Sequence, residues 1–129
     1  MSNLLFVDDD AFVLSAYQRM LHNSGHQCVV LQFPQQLWTV TGLENLDIAF
    51  VDQQMPGLTG SKLLLQLQQR LPAIKRVLVS GDVAAAIQQL AAEQTLDAVL
   101  PKPCSKAALM QCIDKLSIDK LGRGPPVSL

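Results

Sequence analysis

Charge is scarce in this chain. Only 16% of its 129 residues are charged, against roughly 25% in an average soluble protein, and ten Lys+Arg against eleven Asp+Glu leave a net charge of −1. The basic residues are scattered, so no stripe exists to track a phosphate backbone, and nucleic acid is not expected as a direct partner. Long apolar runs are missing too. Those present, such as Leu4-Leu5-Phe6-Val7, fall far short of the roughly 20 residues a membrane helix needs, and no basic stretch precedes this one to suggest a secretory signal. Cys28, Cys104 and Cys112 are odd in number and lack CxxC spacing, which argues against a disulfide framework and a zinc site and points to the reducing cytoplasm. There are no internal repeats.

What the chain does have is apolar mass. Hydrophobic residues make up 49% and the mean hydropathy is +0.22, so the body of the chain folds, and its length holds one domain. Five short runs suit strands: Leu4–Val7, Gln27–Leu31, Ile48–Val51, Arg76–Val79 and Ala98–Leu100. Most are continuously apolar, as in strands covered on both faces. Between them lie segments of helical spacing: Val13 to Leu21 before Gly25, Pro34–Gly42 with Leu37 and Trp38, Leu63 to Leu71 before Pro72, Val83–Gln94, and Ala107 to Leu116. Repeated right-handed crossovers turn this alternation into an α/β domain with a five-stranded parallel sheet, doubly wound. The domain is read as residues 1–118, with 119–129 composed like a linker, either a ragged tail or the start of something longer.

In such sheets the ligand crevice lies beyond the carboxyl ends of the strands. Those ends carry Asp8-Asp9-Asp10, Asp52, Ser80 and Lys102, while strand two ends in the unreactive Gln32-Phe33. Packed carboxylates repel unless a cation is present. A hard divalent ion, Mg²⁺, suits a shell of Asp8, Asp9 and Asp52. A metal-bound carboxylate beside a lysine and a hydroxyl is equipped to attack a phosphoryl donor.

The stretches LLFVDDD, DIAFVDQQMPGLTG, RVLVSGD and LPKP, in that order over residues 3–117, resemble the motif set of response-regulator receiver domains. That resemblance implies the flavodoxin-like (βα)5 receiver fold. It also implies that Asp52 is the phosphoacceptor, that Asp8, Asp9 and the backbone carbonyl of Gln54 hold Mg²⁺ with Asp52, and that Ser80 and Lys102 contact the phosphoryl group. Lys102–Pro103 is then expected to be cis, aiming the lysine into the crevice. The implied donor is a histidine kinase or histidine phosphotransfer protein. The implied output is altered binding to a downstream domain or protein, a phosphorylation-linked dimer included, without turnover catalysis.

Two positions depart from that pattern. The residue after the acceptor is commonly apolar, and Gln53 there reads as a tolerated surface variant. The position three before the lysine is usually aromatic, and Val99 there leaves no ring to swing inward.

Two other functions compete. A haloacid-dehalogenase-type phosphatase would use Asp8-x-Asp10 with Ser80 and Lys102, but Phe12 stands where Thr or Val is expected and Asp52 would have no task. A phosphate-independent pseudo-receiver is disfavoured because all five key residue types are present. Blander roles exist for single residues: Asp10 as a helix cap, Ser80 as a hydroxyl satisfying nearby backbone, Lys102 as an exposed turn. His22 and His26 receive no role, and Phe33, Trp38 and the cysteines read as packing.

Overall fold

A computed structural model describes residues 2–85 and 96–121. Five parallel strands, β1 (Asn3–Val7), β2 (Gln27–Leu31), β3 (Ile48–Asp52), β4 (Lys75–Ser80) and β5 (Ala98–Pro101), pair in the order β2-β1-β3-β4-β5. Among the described residues three complete helices accompany them: α1 (Ala11–Met20), α2 (Gly60–Arg70) and α3 (Lys106–Leu121). The doubly wound sheet expected from the apolar runs is therefore present, and the alternation of side chains along each strand explains its two layers. Leu4, Phe6, Ile48, Phe50, Val77 and Val79 face α1 and α3, where they meet Leu14, Tyr17, Leu109 and Ile113. Leu5, Val7, Ala49, Val51 and Leu78 face the other way, onto Leu37, Leu63, Leu64 and Leu67. In the first layer Phe6 is stacked between Tyr17 and Phe50, with ring centroids 4.4 and 4.8 Å away.

The helix ends follow local chemistry. Asp10 accepts the Phe12 amide at 2.9 Å and caps α1, as the bland reading of that residue had it. Thr59 caps α2 through the Lys62 amide, and Pro72 follows its last turn.

The expected helix over Pro34–Gly42 is instead a 3₁₀ segment, Pro34–Thr39, followed by a second short one, Leu43–Asn45. The cause is in the residues. Thr39 turns its hydroxyl back onto the Gln36 carbonyl at 2.6 Å, Val40 and Thr41 are β-branched, and Gly42 leaves the helical region at φ 79°. Leu37 still reaches the core and is fully buried. Of the expected helix Val83–Gln94 only Val83–Ala85 is seen to be helical, the remainder lying outside the described residues. Helix α3 continues to Leu121, into the stretch that reads as a linker.

Candidate functional site

Each strand end that carries a reactive residue is held by its neighbour. The Asp8 amide donates to the Leu31 carbonyl at 3.1 Å, the Gln53 amide to Val79 at 3.0 Å, and the Lys102 amide to Ser80 at 3.0 Å. The sheet thus fixes the backbones of Asp8, Asp52, Ser80 and Lys102 before any side-chain contact is made. Among the described residues, Asp8, Asp9 and Asp52 offer carboxylate oxygens within 4.8 Å of one another. An open pocket of about 500 Å³ lies over them, lined by Asp9, Asp10, Asp52, Gln54, Ser80, Gly81, Asp82 and Lys102.

Lys102 ties the group together. Its Nζ lies 3.1 Å from Asp8 Oδ2 and 3.1 Å from Asp52 Oδ2, and the two carboxylates are almost fully buried. The Lys102–Pro103 bond is cis, as the resemblance implied. Burial alone would pull the Lys102 pKa down, but hydrogen bonds and charge from Asp8 and Asp52 together hold it above its usual value. Asp8 behaves oppositely. Burial and the like charge of Asp52 outweigh the Asp10 amide and Lys102, so its pKa is raised.

A raised carboxylate pKa means that the folded state binds this proton more tightly than the unfolded state. The stabilising contribution is full below the ordinary value near 3.8 and is lost as pH rises through the folded value. Above that value the ionised form of Asp8 therefore works against the fold. Asp8→Asn keeps an oxygen for the Asp10 amide, which donates to Asp8 Oδ1 at 2.8 Å, and is expected to raise the pH 7 melting temperature by a few degrees. Thermal melts at pH 7 and pH 4 check this; the gain should shrink at the lower pH, and an equal gain at both would contradict the electrostatic cause.

Three carboxylates face a single lysine, so acidic groups outnumber the compensating cation. All the acidic donors are hard oxygens, and Asp8 is short of compensating charge. The donor set thus fits a divalent oxygen-seeking cation such as Mg²⁺.

Ser80 sits at the pocket wall with its hydroxyl engaged. It accepts the Asp82 amide at 3.1 Å and donates to the Asp82 carbonyl at 3.2 Å. Asp82 in turn accepts the Ala85 amide through its side chain at 3.1 Å, opening the helical turn at Val83. The bland and the functional readings of Ser80 are therefore compatible. Val99 is half-buried against the α2 layer. Asp10, which the phosphatase reading needs as a reactive acid, spends a carboxylate oxygen on the α1 cap.

The reading of Gln53 as a surface variant needs correction. Its side chain is half-buried, and its Oε1 accepts the Ser61 amide at 2.9 Å. A signal was present in the sequence, because a helix start leaves amides in search of acceptors and Gln53 lies eight residues before Ser61. Burial raises the pKa values of the Cys28 and Cys104 thiols and pushes Cys112 up to about 11, consistent with packing roles.

Residues 4–114 match the family model described as the response regulator receiver domain. The chain is 26% identical over 113 residues to the transcriptional regulatory protein GlrR of Escherichia coli (strain K12), a match covering 88% of this chain and 26% of that protein. It is 27% identical over 111 residues to the DNA-binding transcriptional regulator NtrC of Klebsiella pneumoniae, covering 84% and 23%. It therefore spans about a quarter of the length of these curated relatives. Among solved structures, the signal receiver domain of an HD domain-containing protein from Pseudomonas fluorescens superposes with a TM-score of 0.84 at 20% identity, covering 94% of this chain and 98% of that one. The response regulator protein TrrA from Thermotoga maritima, in complex with Mg²⁺-BeF, superposes with a TM-score of 0.77 at 18% identity, covering 90% and 99%. At these identities the structural matches speak to the fold.

Proposed function

Because the chain belongs to the response regulator receiver domain family, with most of its length matched, we propose that Asp52 accepts a phosphoryl group from a histidine kinase or histidine phosphotransfer protein. The observation that carries this reading is the position of Lys102 Nζ, 3.1 Å from both Asp8 and Asp52 beneath the open acidic pocket. Asp8, Asp9, Asp52 and the Gln54 carbonyl would hold Mg²⁺, which when bound offsets the charge of acceptor and phosphoryl oxygens together. An Asp52 carboxylate oxygen attacks phosphorus, and the bond from phosphorus to the donor's imidazole nitrogen breaks. The electron pair leaves on that nitrogen. The Lys102 ammonium faces the charge that develops on the transferred group. Ser80 then donates its hydroxyl to the phosphoryl group after releasing Asp82, and the change passes into the turn at Val83.

On this reading the protein is a switch in the cytoplasm that alters partner affinity, with a downstream effector or a phosphorylation-linked dimer as output. It modifies itself and turns over no other substrate. The receiver unit is taken as 1–118, although α3 runs on to Leu121, three residues into the linker-like stretch 119–129.

The test is an amide spectrum with beryllofluoride and Mg²⁺. Shifts are expected at Gln53–Gln54, Ser80–Ala85 and Lys102, larger than those over residues 26–45, absent without Mg²⁺, and little changed by Val99→Ala. Changes confined to residues 8–10, or a response at Ser80–Ala85 erased by Val99→Ala, would defeat the route through the Ser80 loop.

A further inference from the structure

Helix α2 opens with amides that have no partner within the helix. The Gly60 amide donates to the Gln53 carbonyl at 3.0 Å, and the Ser61 amide to Gln53 Oε1 at 2.9 Å. The Lys62 amide donates to Thr59 Oγ1 at 3.4 Å, while the Leu63 amide makes the first regular helical bond, to the Thr59 carbonyl at 3.1 Å. Two of these four bonds end on the single residue after Asp52. They draw the helix start against the end of β3 so closely that a Cβ on Gly60 would lie 2.2 Å from the Asp52 carbonyl oxygen. The bond from Gly60 fixes the plane of the Gln53–Gln54 peptide, and the bond from Ser61 fixes the Gln53 side chain. Neither can rotate without breaking a bond to α2. Beyond Gln54 the chain is anchored again, since Met55 is buried in the α2 layer. Gln54 is thus held from both sides at the pocket wall.

We propose that Gln53 is a positioning residue for the divalent-cation site, its amide oxygen clamping the β3–α2 junction so that the Gln54 backbone is presented in one orientation. The inference rests on the receiver reading and deepens it. An apolar side chain at 53 would keep the backbone bond to Gly60 and lose the second hold. Outer-shell partners that orient a ligand commonly change metal affinity by about tenfold or more when removed.

The experiment titrates the whole chain with Mg²⁺ alone and follows the amides of Asp9 and Gln54, with hydrogen exchange of the Ser61 amide as an independent readout. Gln53→Met, similar in shape but without a strong acceptor, is expected to weaken Mg²⁺ binding about tenfold and to speed Ser61 exchange. Gln53→Glu, whose carboxylate can accept the same amide, should restore slow Ser61 exchange. Thr59→Ala removes the neighbouring cap at Lys62 and is the control for fraying of α2. It should lower stability and leave Mg²⁺ affinity within about twofold, because it leaves Gln53 in place. If wild type binds Mg²⁺ and Gln53→Met binds it equally well, or if Thr59→Ala weakens binding as much as Gln53→Met, the positioning role is overturned while the receiver reading stands. If wild type shows no Mg²⁺ binding at all, the receiver reading of the site fails and this inference fails with it.

Discussion

Acetyl phosphate with Mg²⁺ is expected to label the wild-type chain, to leave Asp52→Asn unlabelled, and to label Lys102→Met about 10²-fold more slowly, the usual effect of removing one preorganised charge facing a developing anion. The two variants fail for different reasons. Asp52→Asn removes the nucleophile, since a carboxamide oxygen carries no charge to donate and forms no acyl phosphate. Lys102→Met keeps the nucleophile but deletes the ammonium that lies 3.1 Å from both Asp8 and Asp52. It leaves two nearly buried carboxylates facing each other without a compensating charge. Raising Mg²⁺ should recover part of the Lys102→Met rate and none of the Asp52→Asn signal. Label retained in Asp52→Asn, or insensitive to EDTA, would place the acceptor elsewhere. Label lost in Asp8→Asn but kept in Asp52→Asn would return the phosphatase reading based on Asp8 and Asp10.

Gly60→Ala should be the most damaging single-methyl change at the site. The added Cβ would stand 2.2 Å from the Asp52 carbonyl oxygen, 2.8 Å from its carbon and 2.9 Å from Gln53 Cα. All three are backbone atoms, so no side-chain rotation relieves the clash, and either α2 or the end of β3 must move. Overpacking of this kind destabilises by about 3 kcal/mol, which lowers the urea midpoint with little change in slope. Any movement is transmitted to Asp52 and to both Gln53 bonds, so labelling should fall with stability. A comparison with Gly57→Ala is informative because Gly57 has open space where a Cβ would go but sits at φ 81°. That change strains one turn and leaves the Asp52 carbonyl untouched, so it should cost less stability and less labelling. Equal effects of the two substitutions would show that the Gly60 contact has no special weight.

The course of the chain was largely legible in its pattern. Continuous apolar runs ending in Asp8, Asp52, Ser80 and Lys102 predict a parallel sheet whose carboxyl edge gathers acids, a hydroxyl and an ammonium. Parallel pairing in the order β2-β1-β3-β4-β5 brings them there. Short-range chemistry was legible as well. The Asp10 cap needed only its place before Ala11 and Phe12, because a cap depends on residues two or three positions away. The misread helix at Pro34–Gly42 had apolar residues at helical spacing. Burial of Leu37 requires only a turn long enough to deliver one side chain to the sheet, and Thr39 and Gly42 stop the helix from going further.

Contacts across separations that no local rule covers were decided by tertiary structure. That Lys102 bridges Asp8 and Asp52 depends on the carboxyl ends of β1, β3 and β5 meeting at one edge of the sheet, although β4 lies between β3 and β5 and Lys102 is 94 residues from Asp8. The opposite responses of the two partners have different causes: loss of water pushes Asp8 toward its neutral form, whereas the hydrogen bonds and charge of Asp8 and Asp52 keep Lys102 a cation in spite of its own loss of water. Gln53 shows the same division within one residue. Read alone, it is a polar side chain where an apolar one is usual. Folded, it meets the start of α2, whose amides need acceptors and whose distance from β3 is set by the packing of Leu63, Leu64 and Leu67 beneath the sheet. Sequence determined which groups reach the carboxyl edge, because strand length and apolar pattern are local properties. Only the packed structure decided which of them touch, because hydrogen bonding and loss of water depend on every element around them.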